Sequence, residues 1–307
     1  MIVDTLTALI GNTPMLRLNR LTAGSDTHGA EILAKLEMFN PYSLKDRPAL
    51  YMIKEAERSG QLKPGSTIVE ASSGNAGIAM TYIGRLKGYH VVICMSELMS
   101  DEHKQLLSAL GAELVLTPAE LGIRGSRERA RDLADRLPDA FYMEQHHNPA
   151  NAQSHFETTA EEIWRDTEGR IDFFVHGLGS CGTMTGVARA LKERKPSLCT
   201  IGYEPEGAAL MSQGEFQAHR LLGIGPGFVP ALFDRELMDE IVTVRVEDAF
   251  ATCREIAAKE GFLVGITSGA SAHVALELAR RPENAGKTIV IIFADTGQGY
   301  LSVEGFF

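Results

Sequence analysis

The chain has 307 residues, of which 44% are hydrophobic, enough to bury the core of one large or two medium α/β domains. A formal net charge of -10 argues against nucleic acid or an anionic membrane as a general partner. The N-terminal residues lack a signal-peptide pattern, and no apolar run approaches the about 18 residues of a membrane span, so we expect a cytoplasmic protein. The four cysteines form no C-x-x-C pair, and we expect them to be reduced.

Short β-branched or aromatic runs alternate along the chain with amphipathic helical stretches. The runs predict strands over residues 67–70, 91–94, 113–116, 173–175, 200–203, 241–244 and 288–293. Strands that are apolar nearly throughout are typical of a parallel sheet covered by helices on both faces. Ser100 and Gly111 have the residue types of an N-cap and a C-terminal stop for one helix. The pattern predicts an open, doubly wound α/β fold with a long ordered loop over residues 212–230.

Three short segments carry most of the chemical information. Residues 40–47 contain Lys45, an amine nucleophile; residues 70–77 form a small polar loop after a predicted strand; residues 177–183 are rich in glycine. A glycine-rich turn before a helix lets backbone N–H groups approach a phosphate closely. Together the three segments supply what a protein needs to hold pyridoxal 5′-phosphate (PLP) as a lysine Schiff base.

The glycine-rich turn alone does not choose the cofactor. Gly177, Gly179 and Gly182 satisfy the dinucleotide pattern G-x-G-x-x-G, and Glu204 stands 22 residues beyond Gly182, where a ribose-binding acid would stand. An NAD-dependent dehydrogenase and a purely structural turn are therefore the alternatives. A dinucleotide explains neither Lys45 nor the loop that follows residue 70, and the combination of segments favours PLP.

An ordered set of motifs extends along essentially the whole chain and resembles the cysteine synthase (O-acetylserine sulfhydrylase) family, PLP enzymes of fold type II. The matching segments are residues 10–14, 35–37, 40–47, 70–77, Gln145 with 148–149, 177–183, 223–225, 265–270 and 300–302. The resemblance implies two doubly wound open sheets in two domains, with PLP in the cleft between them. A larger domain, residues 1–40 plus 148–307, would bind the cofactor phosphate. A smaller mobile domain, residues 41–147, would carry the lysine and the substrate loop.

The resemblance also implies the role of each site residue. Lys45 would form the internal aldimine and later act as base on the α-proton, Asn75 would hydrogen-bond the cofactor's 3′-oxygen, and Ser268 would face the pyridine nitrogen. The phosphate would be held by Gly177, Gly179, Ser180, Cys181, Gly182 and Thr183. The amino-acid substrate would be bound by Ser72, Ser73, Gly74, Asn75, Gln145 and Gly225. We expect no metal site, since the spacing of His146, His147 and His155 matches no zinc motif.

The implied reaction is a β-replacement in ping-pong order. O-acetyl-L-serine loses its α-proton and acetate to give bound α-aminoacrylate, and sulfide then adds at the β-carbon to give L-cysteine. A hydroxyl at Ser268 gives little support to a protonated pyridine ring, which favours elimination over transamination. The resemblance also implies a homodimer and the complex with serine acetyltransferase that some family members form.

The chain departs from the family pattern at several positions. Only Tyr42 separates the Asn-Pro pair from Ser43, Ala76 stands where a threonine is usual, and Gly299 stands where an arginine often precedes Tyr300. Cys181 replaces a glycine, and its thiol is either inert or made acidic by a helix N-terminus. Donor and nucleophile therefore stay open: a cystathionine β-synthase-like enzyme, another β-replacement synthase and a catalytically silent regulatory relative are the alternatives.

Overall fold

The computed structural model describes residues 2–72 and 74–306. The strands are β1 Met15–Arg17, β2 Glu31–Leu36, β3 Thr67–Ala71, β4 His90–Ser96, β5 Glu113–Thr117, β6 Ala140–Tyr142, β7 Phe173–Gly177, β8 Cys199–Pro205, β9 Glu240–Val244 and β10 Thr288–Phe293. The α-helices are α1 Asn19–Thr22, α2 Asp46–Arg58, α3 Asn75–Leu86, α4 Asp101–Ala109, α5 Gly122–Arg136, α6 Pro149–Ser154, α7 Ala160–Thr167, α8 Gly182–Arg194, α9 Leu210–Gln213, α10 Val246–Glu260 and α11 Ile266–Ala279. A π-helical turn, His155–Thr159, joins α6 to α7.

The strands form two sheets. One has six strands in the order β1-β2-β10-β7-β8-β9 and the other has four in the order β5-β4-β3-β6. All pairings are parallel except that of β1 with β2. The predicted doubly wound α/β class with two sheets is confirmed. The domain boundaries at residues 40/41 and 147/148 stay a prediction, although strands within residues 67–142 build the smaller sheet.

Each sheet is buried on both faces, which explains why its strands read as continuous apolar runs. In β7, Phe174 packs in one core cluster and Val175 in another, and in β3 Ile68 and Val69 likewise belong to different clusters. The seven predicted strands are all present. Sequence reasoning missed β1 and β6, which have three residues each, and β2, whose apolar run is broken by a buried lysine, Lys35.

The capping residues and the glycine-rich composition predicted the ends of α4 and the long loop correctly. The Ser100 hydroxyl accepts a hydrogen bond from the backbone N–H of His103 as the N-cap of α4, and Gly111, just beyond that helix, has a φ of +90°. Between α9 and the turn at residue 235 the chain has no regular element, as predicted for residues 212–230. Among the described residues, no helix is long and apolar enough to cross a membrane.

A buried ionic network joins the start of the chain to the segment that carries Lys45. The Arg47 guanidinium, 2% exposed, donates to both carboxylate oxygens of Glu37 at 2.6 and 2.8 Å and to both of Glu162 at 2.7 Å. The Lys35 ammonium lies 2.9 Å from Glu162 and donates to the Thr13 carbonyl at 2.5 Å. Burial opposes the ionised carboxylate, but the two cations hold the pKa of Glu162 at about 2.

This network generates a stability prediction. Glu162→Gln leaves two buried cations short of a partner, and we expect it to lower the free energy of unfolding by about 3–5 kcal/mol in urea unfolding followed by circular dichroism. Because the folded pKa of Glu162 lies below its unfolded value, its contribution is present above pH 4.5 and is lost toward pH 2. The difference in free energy of unfolding between the parent and the Glu162→Gln variant should therefore become smaller as the pH falls through that range.

Glu161→Gln is the matched control, since Glu161 precedes Glu162 on the same helix and pairs with Arg194 at the surface. We expect it to change stability by less than about 1 kcal/mol. Two results would contradict the role given to Glu162 in the buried network. One is equal destabilisation by both variants. The other is a difference in free energy of unfolding between the parent and Glu162→Gln that does not change with pH.

Candidate active site

The candidate site lies where the carboxyl ends of parallel strands from both sheets meet. The loop that begins with Ser72 follows β3, Gln145 follows β6, the glycine-rich turn follows β7 and Asp295 follows β10. In open α/β sheets, ligands bind in the crevice outside the carboxyl ends of the strands. The topology therefore brings segments that are far apart in sequence to one crevice.

Lys45 stands in this crevice, immediately before helix α2. The segment before it is pinned, because the Leu44 N–H donates to the Ala294 carbonyl at 2.9 Å and the Ser43 hydroxyl accepts from the Lys45 N–H at 3.2 Å. Burial lowers the pKa of Lys45, and the charge of Asp295 acts in the opposite direction. A lowered pKa leaves more of the amine in the neutral, nucleophilic form.

Two cavities meet at Lys45. The deeper one, of about 530 Å³, is lined by the glycine-rich turn, Asn75, Asp295 and Tyr300. The wider one, of about 1300 Å³ including open solvent, is lined by Ser72, Gly74, Gln145 and Gly225 as well as the lysine. The crevice therefore holds two adjoining cavities that share Lys45.

The glycines of the turn are required by close contacts. A Cβ on Gly179 would lie 2.5 Å from the Gly223 carbonyl oxygen, and one on Gly182 would lie 2.0 Å from Asn151 Oδ1. Helix α8 begins at Gly182 and its first N–H groups face the deeper cavity together with Ser180 and Thr183. The Ser180 hydroxyl accepts from Asn151 at 3.1 Å, and the Thr183 hydroxyl lies 3.2 Å from His155 Nε2. Backbone donors, hydroxyls and a helix N-terminus form an anion cradle.

Cys181 occupies the left-handed backbone region in this turn, with a φ of +65°. That conformation suits the glycine usual in the family and strains any other side chain. The thiol is buried 3.7 Å from the Gly179 carbonyl and from Met211 Sδ, and burial raises its pKa to about 12. Of the two interpretations of Cys181, the inert thiol agrees with the structure and the acidified thiol does not.

Glu204, the acid that kept a dinucleotide in consideration, is occupied elsewhere. Its carboxylate is fully buried and accepts from the backbone N–H groups of Met211 and Ser212 at 2.8 and 2.9 Å and from the Ser212 hydroxyl. Glu204 therefore caps helix α9, and its carboxylate is not available to bind a ribose.

The loop after β3 combines a helix start with a polar lining. The Ser72 hydroxyl accepts from the N–H groups of Gly74 and Gly77 at 3.1 and 2.8 Å, so it supports the first turn of α3. Asn75 begins that helix, and its amide donates to Asp295 Oδ2 at 2.5 Å across the crevice. Ser73, the fourth residue predicted here, lies outside the described residues.

Gln145 and Gly225 lie on the wall of the wider cavity. Gln145 is 6% exposed, and its side-chain amide donates weakly to the Ala71 carbonyl at 3.4 Å. Gln145 is therefore a buried wall residue and not a surface glutamine. Gly225, with a φ of +59°, donates its N–H to the Leu178 carbonyl, which joins the long loop to the glycine-rich turn.

Ser268 is fully buried in the first turn of α11, next to residues that line the deeper cavity. Its hydroxyl oxygen accepts from the backbone N–H of Ala294 at 2.9 Å. The hydroxyl hydrogen has no partner in the described part of the chain and stays available for donation.

Sequence reasoning missed three residues that line these cavities. Asp295, 5% exposed, accepts from Asn75 and from the Tyr300 hydroxyl at 2.5 Å each. His176 ends β7 beside the deeper cavity with Nδ1 buried and unpaired. The signal for Asp295 and His176 was position, since each stands at or just after the carboxyl end of a predicted strand. Tyr300 lies in the family motif over residues 300–302, which had given it no role. Over residues 2–72 and 74–306, no cluster of three or more metal-ligating side chains is present.

The comparisons with known proteins agree with this geometry. The sequence profile of the family described as "Pyridoxal-phosphate dependent enzyme" matches residues 6–295. A probable cysteine synthase of Bacillus subtilis is 43% identical, with 99% of this chain and 97% of that protein covered. Two crystal structures, of an O-ureido-L-serine synthase and of a cysteine synthase from Entamoeba histolytica, superpose with TM-scores of 0.94. Their identities are 40% and 39%; each covers 99% of this chain, and the matched regions cover 95% and 90% of those chains.

The profile spans nearly the whole chain, and the relatives are well above 30% identical over their full lengths. The resemblance inferred from the motifs is confirmed. The chain belongs to the family of pyridoxal-phosphate-dependent enzymes.

Proposed function

We propose that this protein catalyses β-replacement on O-acetyl-L-serine with sulfide, giving L-cysteine and acetate. The observation that carries the proposal is the position of Lys45, which lines both the cavity bounded by the glycine-rich turn and the cavity that adjoins it. The similarity to cysteine synthases over the full length supports the same reaction.

The residues of the deeper cavity fit PLP. The glycine-rich turn admits no Cβ at Gly179 or Gly182, so backbone N–H groups can approach a phosphate there beside the Ser180 and Thr183 hydroxyls. Lys45 is the amine within the same cavity. Bound PLP supplies an electron sink that makes the substrate's α-proton acidic. Our assignment gives the phosphate to the loop from Gly177 to Thr183 and the Schiff base to Lys45.

The other roles follow from where the side chains lie. Lys45, once its amine is released by the substrate, takes the α-proton at Nζ. The wider cavity would bind the amino-acid substrate. Its carboxylate would accept from N–H groups at the α3 N-terminus. The lining residues assigned to this task are Ser72, Gly74, Gln145 and Gly225. Ser268 would donate its free hydroxyl hydrogen to the pyridine nitrogen, which keeps that nitrogen unprotonated and favours rapid loss of the β leaving group.

A different nucleophile is the second candidate, and a specific observation favours keeping it. A solved relative at 40% identity is an O-ureido-L-serine synthase, so the same fold accommodates more than one β-replacement. A homodimer, a cytoplasmic location and a complex with serine acetyltransferase are proposals from the family resemblance.

The assignment of Lys45 gives a direct test. Lys45→Ala should abolish both the visible absorption of bound PLP as a Schiff base and cysteine formation, since one amine carries both roles. Arg58→Ala, at the exposed end of the same helix, is the control and should retain both. An active Lys45→Ala variant with an unchanged spectrum would remove Lys45 from the mechanism.

The glycine-rich turn predicts opposite effects for two neighbouring substitutions. Gly179→Val should weaken PLP binding at least about 10-fold, because a Cβ there meets the Gly223 carbonyl and moves the cradle. Cys181→Gly should retain PLP and stabilise the protein by about 1 kcal/mol, because it removes the left-handed strain. PLP titration of the apoprotein and thermal unfolding measure the two effects. Unchanged affinity in the Val variant would place the phosphate elsewhere.

Ping-pong chemistry predicts that O-acetylserine without sulfide releases one equivalent of acetate per active site, and that cysteine forms only after sulfide is added. Ser268→Asp should slow the acetate burst at least about 10-fold, because a carboxylate favours a protonated pyridine nitrogen, whereas Ser268→Ala should change it less. Rapid-quench measurement of acetate distinguishes the variants. If serine with homocysteine turns over far better than acetylserine with sulfide, the cystathionine-forming alternative replaces our proposal.

A further inference from the structure

His103 is a buried imidazole in the crevice to which the chemistry above gives no role. It lies on α4, is 7% exposed, and lines both the wider cavity and a neighbouring one bounded by Asp295 and Tyr300. Its ring packs edge-on against Tyr300 with 5.9 Å between ring centroids. Two segments that are distant in sequence thus enclose the imidazole.

One nitrogen of this imidazole is fixed and the other is open. Nδ1 lies 2.6 Å from the Ser100 hydroxyl oxygen, the same oxygen that caps α4. Nε2 has no hydrogen-bond partner in residues 2–72 and 74–306. It faces the gap between two glycines: a Cβ built on Gly74 would lie 3.0 Å from Nε2, and one on Gly299 would lie 3.5 Å from it. An imidazole held at one nitrogen and open at the other has the geometry of a proton acceptor.

Gly74 and Gly299 show what His103 Nε2 borders. Gly74 belongs to the substrate loop, so the open nitrogen borders the place assigned to the amino-acid donor. Gly299 stands where an arginine often precedes the Tyr-Leu-Ser sequence in the family, and a long side chain there would crowd the histidine. The chain therefore leaves room around Nε2 on both sides.

Burial disfavours the protonated form of this imidazole. Burial lowers its pKa, while Glu102 on the same helix acts in the opposite direction. The ring of Tyr300 packs against the imidazole, and the Tyr300 hydroxyl donates to Asp295. The Ser302 hydroxyl donates to Glu102. A neutral imidazole has one nitrogen with a free lone pair. We take the tautomer in which Nδ1–H donates to the Ser100 hydroxyl oxygen, which leaves the lone pair on Nε2.

We propose that His103 is a further catalytic residue, whose Nε2 takes the proton of the nucleophile's S–H group as the sulfur attacks the donor's β-carbon. The inference rests on the proposed β-replacement. The S–H bond breaks with its proton passing to Nε2, and the sulfur electron pair forms the S–C bond at the carbon that acetate left. The α-carbon recovers the proton held by Lys45. His103 then releases its proton to solvent. Because the α-proton has returned to the α-carbon, this released proton is the one that balances the negative charge carried away by acetate.

A series of nucleophiles with different acidities tests this role. The enzyme is first loaded with O-acetylserine, and the second half-reaction is then followed at pH 7 by stopped flow with simple alkanethiols, which are protonated at this pH, and with thionitrobenzoate, which is already ionised. General-base catalysis contributes roughly 10²–10⁴-fold, so His103→Gln should slow the alkanethiols at least about 100-fold. The reaction with thionitrobenzoate should change by less than about threefold, because there is no proton to remove.

Two further variants separate catalysis from structure. Ser100→Ala removes the group that orients Nδ1 and should slow the alkanethiols by a smaller factor with the same dependence on acidity. His147→Gln changes an exposed histidine of the same sheet region and should leave every nucleophile unaffected. If His103→Gln slows all nucleophiles equally, or slows none, His103 is not the base.

Failure of the donor assignment would be seen separately. If the parent releases no acetate from O-acetylserine, the proposed function is wrong, and the same nucleophile series is run with the donor that does prime the enzyme. The difference between protonated and ionised nucleophiles then decides the role of His103 in the same way.

Discussion

The structure depends on one buried contact: the Arg47 guanidinium clamped between the carboxylates of Glu37 and Glu162. An arginine has five N–H donors, and burying them without acceptors costs free energy. Here four hydrogen bonds of 2.6 to 2.8 Å to two carboxylates satisfy most of these donors. Because Arg47 is two residues from Lys45, the clamp fixes the lysine relative to the six-stranded sheet. The same network uses Thr13, Lys35 and Asn40, which come from the N-terminal motifs that identified the family. Those motifs serve the lysine's position rather than contact with a ligand.

Burial keeps the imidazole side chains near Lys45 uncharged. Burial lowers the pKa values of His146 and His176 to about 3, so both imidazoles are neutral at physiological pH and do not repel the ammonium form of Lys45. Asp295 is the carboxylate that faces the lysine, and it is held by Asn75 and Tyr300. Hydrogen bonds made to an anion in a buried cavity are stronger than the same bonds in water. The helix N-termini and hydroxyls of the cradle can then bind a phosphate without a cation.

The sequence predicted the parts of the molecule that follow local rules. Apolar runs located the central strands, Ser100 and Gly111 located the ends of α4, and the order of motifs located the lysine and the glycine-rich turn. It missed β1 and β6 because three-residue strands carry little periodicity, and β2 because the pairing of Lys35 with Glu162 is invisible to a hydropathy pattern. Asp295, Tyr300 and His176 were missed for a related reason: their surroundings come from segments far apart in the chain, and only the fold brings them together.

The carboxyl end of β10 shows how the fold unites these segments. The Ala294 carbonyl accepts from Leu44, next to the lysine, while the Ala294 N–H donates to Ser268. Asp295 accepts from the Gly265 N–H through its carbonyl and from Asn75 through its carboxylate. Two consecutive residues thus touch the lysine segment, the start of α11 and the start of the helix after the substrate loop. Three of the four contacts hold the segment before Lys45 and the start of α11 at the carboxyl edge of the larger sheet. The fourth, from Asn75, ties the start of α3 on the smaller sheet to the same point. The end of β10 is therefore the place where the lysine, the Ser268 hydroxyl and the substrate loop are positioned relative to one another.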